Sequence, residues 1–217
     1  SAPDAAARDA AAPDAFAPDA AARDASAPDA TLDAGVPLDA GAPLDAGAPL
    51  DAGAPLSIDL SGWTLVNTED QPPTQTYTFP AGTTLRRGEV LLVVRDASRA
   101  EVEAEWGRSL ASSVMVLRAG ARTRGAPIIN GGERWALRDA TGTTVDGPTA
   151  AGLAGFVYQR TAAAAGVATS WSERPETAST PGVADGPALA PGVWITEWAD
   201  ASGSGRFVFE YVELTAY

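Results

Sequence analysis

From residue 57 onward, short apolar stretches alternate with polar and glycine-rich ones. Ile58, Leu60, Trp63 and Leu65, with Ser, Thr and Asn around them, predict a strand that breaks near Gly62. Residues 76–79 alternate as a second short strand before a Pro80-Ala81-Gly82 turn. Residues 89–95 form a nearly continuous apolar run between Gly88 and Asp96, the pattern of a central strand buried on both faces. Ser98, followed three residues later by Glu101, forms a capping box that opens a helix over 98–106, and Gly107 stops it. Further strands are predicted at 114–117, 133–138, 143–146 and 155–160. After a Gly/Pro linker come two more, at 193–198 and 207–215. Many short strands with one peripheral helix predict an all-β sandwich or barrel.

Residues 1–56 follow another rule. An aspartate recurs every fifth residue from Asp4 to Asp29 and every sixth from Asp33 to Asp51, in Ala-Pro-Asp-Ala and Leu-Asp-Ala-Gly-Ala-Pro units. On a helix these steps advance by about 140° and about 240°, so the aspartates scatter around the axis. Pro3, Pro13, Pro18 and Pro28 break helices as well. The expectation is a disordered, low-complexity Asp/Ala/Pro/Gly spacer over 1–56 and one domain over 57–217. The chain begins with Ser, which implies a processed product or a piece of a longer chain.

Charge and composition narrow the chemistry. The formal net charge is −13, which repels phosphate backbones and argues against a nucleic-acid partner. The sequence has no His and no Cys, and it also contains no Lys. That excludes the Ser-His-Asp triad, imidazole or thiolate metal sites, the P-loop lysine and Schiff-base chemistry. Carboxylate-only catalysis and oxygen-ligand cation binding remain open. No apolar stretch reaches the ~18 residues that suggest a membrane-spanning helix.

Three ordered motifs carry a resemblance. They are Ile58-Asp-Leu-Ser-Gly-Trp-Thr-Leu65, Tyr77-Thr-Phe-Pro-Ala-Gly82 and Leu85-Arg-Arg-Gly-Glu-Val-Leu-Leu-Val-Val94. Asn130-Gly-Gly-Glu-Arg-Trp-Ala-Leu-Arg-Asp139, Gly142-Thr-Thr-Val-Asp146 and Trp171…Thr180-Pro-Gly182 follow in the same order. In this succession the chain resembles the lamin-tail domain family. The resemblance implies an immunoglobulin-like β-sandwich and, in bacteria, a place on secreted or cell-surface proteins. One feature departs from the family. Its first two strands, of "V-I-E" and "E-VEL" type, are matched here by Val193-Trp-Ile-Thr-Glu-Trp198 and Phe209-Glu-Tyr-Val-Glu-Leu214, which come last. Either the domain is circularly permuted, with 193–217 supplying those two strands, or a truncated second copy begins at Val193. A monomer is expected in preference to a strand-swapped dimer.

Glu197, Asp200, Glu210 and Glu213 cluster near the C-terminal hairpin. Glu197, Asp200 and Glu213 are the candidate ligands for a hard cation, set against pairing with an arginine such as Arg134 or Arg138, or solvent exposure. Strand parity puts Glu197 with Ile195, and Trp194 with Trp198 on the opposite face. Trp194 and Trp198 are thus candidate ligand-binding residues, a strip that is either core or exposed. Trp63 and Trp135 are expected in the core. Arg86, Arg87, Arg118, Arg122 and Arg124 form a basic region, by default a solvated loop. No catalytic residue and no cofactor is expected. The favoured reading is a non-catalytic module binding an unknown protein or envelope component, through strand edges and a hydrophobic groove. The alternative is a carbohydrate-binding module, and a carboxylate-dependent hydrolase comes third.

Overall fold

The computed structural model describes residues 57–69, 75–120, 127–203 and 205–217. The expectation of a spacer over 1–56 lies outside the described residues. The order of elements is β1 (Ser57–Asp59), β2 (Thr64–Asn67), β3 (Thr76–Thr78), β4 (Thr84–Arg86), β5 (Val90–Val94), α1 (Arg99–Glu105), β6 (Met115–Arg118), β7 (Trp135–Arg138), β8 (Thr144–Asp146), β9 (Phe156–Arg160), β10 (Trp171–Pro175), β11 (Val193–Ala199) and β12 (Tyr211–Ala216).

The strands form an all-β immunoglobulin-like sandwich. A six-stranded sheet runs β10-β9-β11-β12-β5-β6 and a four-stranded sheet runs β3-β2-β7-β8, with β1 and β4 paired as a separate ribbon. Every pairing is antiparallel except β5 with β6. Between the sheets lies a core that includes Leu65, Phe79, Trp135, Leu137, Ile195, Trp198, Val212 and Leu214. A second cluster covers the outer face of the six-stranded sheet, where Val90, Leu92, Val94 and Tyr211 pack with Val102 of α1 and with Leu110 and Val114. This second layer explains why β5 is apolar at every position and wholly buried.

The helix forms where its cap predicts. The Ser98 N–H donates to Glu101 Oε2 at 2.8 Å, and the Glu101 N–H donates back to Ser98 Oγ at 3.4 Å. One expectation needs correction, and one strand was not expected. The strand expected over 207–215 starts only at Tyr211, because Arg206–Phe209 form a 3₁₀ turn. The polar strand β10 had no periodic signal. Its Ser172, Glu173 and Arg174 carry no apolar alternation, and Pro175 suits only a sheet edge.

Candidate functional site

The hairpin β11–β12 positions the residues of interest. Its register shifts between Ile195 and Glu197, so that Ile195 pairs with Leu214 and Glu197 with Glu213. A bulge of this kind inserts one residue and reverses the parity beyond it. Val193 and Ile195 point into the sandwich core, and so does Trp198. Thr196 and Glu197 both turn to the outer face, where they meet side chains from the outer face of β12. The parity expectation is therefore corrected. Glu197 does not share a face with Ile195, and Trp194 and Trp198 do not form one strip. Trp198 is fully buried, stacked on Tyr158 with ring centroids 4.1 Å apart, whereas Trp194 is half-buried and lies near the Arg160 guanidinium.

Glu197 and Glu213 are direct cross-strand neighbours, at 1% and 0% exposure. Glu197 accepts from four donors. The Tyr211 hydroxyl and the Thr180 N–H (2.9 Å) reach Oε1, and Gln159 Nε2 (2.6 Å) and the Thr180 hydroxyl (2.7 Å) reach Oε2. Glu213 accepts from the Thr196 hydroxyl on Oε1 and the Gly182 N–H on Oε2, both at 2.8 Å. All of these donors are neutral. Burial raises the pKa of Glu197, and it raises that of Glu213 well above the usual carboxylate range, with the Glu197 charge adding to the effect. The Tyr211 phenol is likewise held well above its ordinary value, by burial and then by the two carboxylates. Thr180-Pro-Gly182 thus lies over the pair like a strap.

The other acids are placed elsewhere. Asp200 accepts from the Gly155 N–H at 2.5 Å, and Glu210 accepts from the Ile129 N–H at 2.9 Å and pairs with Arg95 at 3.0 Å. Burial pushes Glu210 up to about 7 although Arg95 pulls it down, and burial also raises Asp200. These two acids, with Asn130, Ser202 and Phe207, line an open cleft of about 330 Å³ among the loops. The fold therefore separates Asp200 from Glu197 and Glu213, and among the described residues no group of three or more acids could hold a metal ion. Neither Arg134 nor Arg138 pairs with the hairpin acids: Arg134 bridges to Glu69 at 2.7 Å. Arg118 of the basic region pairs with Asp96, while Arg122 and Arg124 lie outside the described residues.

Sequence reasoning missed Arg160. Its guanidinium is buried, bonded to Asp146 at 2.6 Å, and lies between Trp171 and Trp194, 4.8 and 5.4 Å from their ring centroids. The signal that was available is Asp146 itself, the final residue of the Gly142-Thr-Thr-Val-Asp146 motif. Trp63 packs against the core and Trp135 lies within it, as expected.

The ordering of strands and motifs invites comparison with known families. Residues 53–151 match the family model of the Lamin Tail Domain. The match takes in β1 to β8 and ends before β9. The lamin tail fold is immunoglobulin-like, which agrees with the sandwich seen here. The hairpin acids, the strap and Arg160 all lie beyond the matched residues. No curated protein and no solved structure matches the chain.

Proposed function

We propose that the chain is a non-catalytic binding or tethering module of a secreted or cell-surface protein, using the loop end of its sandwich as the contact surface. The observation that carries this reading is the closure of the carboxylate pair. Glu197 and Glu213, the two acids that stand face to face, are buried beneath residues 180–182 and offer nothing to a substrate. An acid and nucleophile in a glycosidase need an open cleft between them. The loop cleft holding Asn130, Asp200, Ser202, Phe207 and Glu210 is, by contrast, open and mixed in character, as recognition surfaces on loops tend to be.

The β10 edge offers little for strand pairing. Ser170 and Glu176 bond to the β9 side, so alternation turns Trp171, Glu173 and Pro175 toward the outer edge of β10. Pro175 has no N–H, and the Trp171 N–H is already bonded to the Ala168 carbonyl. Little of a pairing ladder remains there. The carbohydrate reading loses its paired tryptophans, since Trp198 is in the core.

The secreted or surface placement rests on the lamin tail resemblance. Fractionation of the native cells tests it, and recovery of the protein with the cytoplasm would refute it. For the contact surface, the full chain is immobilised and challenged with an envelope extract, beside a Phe207→Ala/Asp200→Asn variant shown to be folded. Retention of a defined component by the parent and its loss in the variant is the expected result. Equal retention by both moves the contact elsewhere. Turnover of glycosides or phosphate esters by the parent would overturn the non-catalytic reading.

A further inference from the structure

The strap over the carboxylate pair has a property that goes beyond binding. Glu197 and Glu213 are cross-strand partners in the second apolar layer, and neither makes an ion pair among the described residues. The charged or titratable groups around them are Tyr211 from β12 and Asp185 from the strap, with Tyr217 at the end of β12 feeling Glu213, Asp185 and, beyond them, Arg160 of β9. Arg160 is engaged with Asp146, and Asp185 adds a further negative charge. From β5, the layer presents Val90, Leu92 and Val94. Two ionised carboxylates side by side in this setting repel each other and have lost their hydration, so the closed arrangement requires a shared proton.

The hydrogen bonds indicate where that proton resides. Glu197 accepts from four donors, which suits the ionised acid. Glu213 has two partners, and one of them, the Thr196 hydroxyl, also bonds the Thr215 hydroxyl at 2.9 Å. A protonated Glu213 can donate to Thr196, which then donates to Thr215. The strap engages both acids directly, through the Thr180 N–H and hydroxyl on Glu197 and the Gly182 N–H on Glu213. Of its remaining residues Pro181 is buried, while Val183, Ala184 and Asp185 are exposed. Asp185 accepts from the Thr180 hydroxyl at 2.9 Å and from Gln159 Nε2 at 3.3 Å, so release of the strap breaks these few contacts and leaves the strand ladders beneath intact.

We propose that residues 179–185 are a proton-dependent latch, closed over Glu197 and Glu213 while the pair holds one proton and released as that proton leaves. The sign follows from linkage. The folded protein keeps a proton that the unfolded chain gives up above the ordinary Glu value of 4.5. Stability is therefore greatest below that value and declines as pH rises toward the folded value. The chain is well suited to the test. With no His, Cys or Lys, it has no ordinary side chain that titrates between pH 7.5 and 9. Glu210, at about 7, titrates alike in parent and variant and cancels in the comparison.

The experiment uses the full chain. Urea unfolding of the parent and of Glu213→Gln is followed from pH 5 to 9, and amide exchange over residues 179–186, corrected for its intrinsic pH dependence, is followed in parallel. The expected result is an unfolding constant that rises with pH more steeply in the parent, by up to about tenfold per pH unit, with strap amides opening ahead of the strands. Glu213→Gln removes the need for the proton and should abolish the extra slope and the early opening. If that variant does not fold, Glu197→Gln serves the same purpose. A slope that a folded Gln variant shares with the parent, or strap amides that open only with global unfolding, would overturn the proposal.

Discussion

Arg160 of β9 and Asp146 of β8 grip the main chain of Ile195 between them. Arg160 Nε donates to the Ile195 carbonyl at 2.6 Å, the Ile195 N–H donates to Asp146 Oδ2 at 2.8 Å, and Arg160 Nη2 closes the ring to the same oxygen at 2.6 Å. The β9–β11 ladder pairs Glu197, Trp198 and Ala199 and stops short of Ile195. The ion pair therefore supplies the hydrogen bonds that the ladder omits and ties the two sheets together. Removing one partner leaves a buried charge alone. Asp146→Asn and Arg160→Met should each cost about 3–5 kcal/mol in urea unfolding, and the double variant less than their sum. Losses below about 1 kcal/mol would show that the ring is not a structural tie.

Glu210 should make the protein less stable as pH rises toward neutrality. Its folded value of about 7 lies above the ordinary 4.5, with burial the dominant cause. Its contribution is therefore complete below about pH 4.5 and lost as pH climbs to about 7. Glu210→Gln should lower the slope of stability against pH by about one proton in that window. Chemical denaturation at pH 5, 6 and 7 measures it, and an unchanged slope would refute the assignment.

Gly152 lies against the aromatic stack in the core. A Cβ there would lie 1.9 Å from Trp198 Cη2 and 2.9 Å from Tyr158 Cε2, so the rings would have to move. Gly152→Ala is expected to cost about 1–3 kcal/mol and to change the near-ultraviolet dichroism of the tryptophans. A spectrum and stability identical to the parent would mean the stack is looser than the geometry implies.

The hairpin β11–β12 occupies the middle of the six-stranded sheet, between β9 and β5. We propose that it supplies the two strands that open lamin tail sequences, in permuted order. Deletion of residues 193–217 should give an unfolded or aggregating product, because β9 and β5 each lose one of their two partners and the sheet is cut in the middle. A soluble, folded monomer by size-exclusion chromatography and circular dichroism would end the permutation idea.

Most of the strands were legible because each is a local pattern bounded by glycine or proline. β10 was not, because an exposed edge strand ending in Pro175 has no apolar rhythm to read. The acids near the hairpin were read as one cluster, whereas the fold puts Glu197 against Glu213 and sends Asp200 and Glu210 to the loop cleft. Plain alternation across Thr196 assigned Glu197 and Trp198 to the wrong faces. The Thr180-Pro-Gly182 motif was recognised in the sequence without any hint that its N–H groups cap two carboxylates.

The sequence by itself determined the helix at Ser98, the all-β pattern, the lamin tail motifs and the absence of His, Cys and Lys chemistry. These depend on neighbours a few residues apart or on composition alone. Only the tertiary structure decided the bulge at Thr196, the union of Arg160 with Asp146 and the burial of Glu197 against Glu213. A bulge is a mismatch between two paired strands, and Glu197 and Glu213 become neighbours only through the register of that pairing. Whether a carboxyl keeps its proton then depends on how much water the surrounding layers remove, and those layers come from segments far apart in the chain.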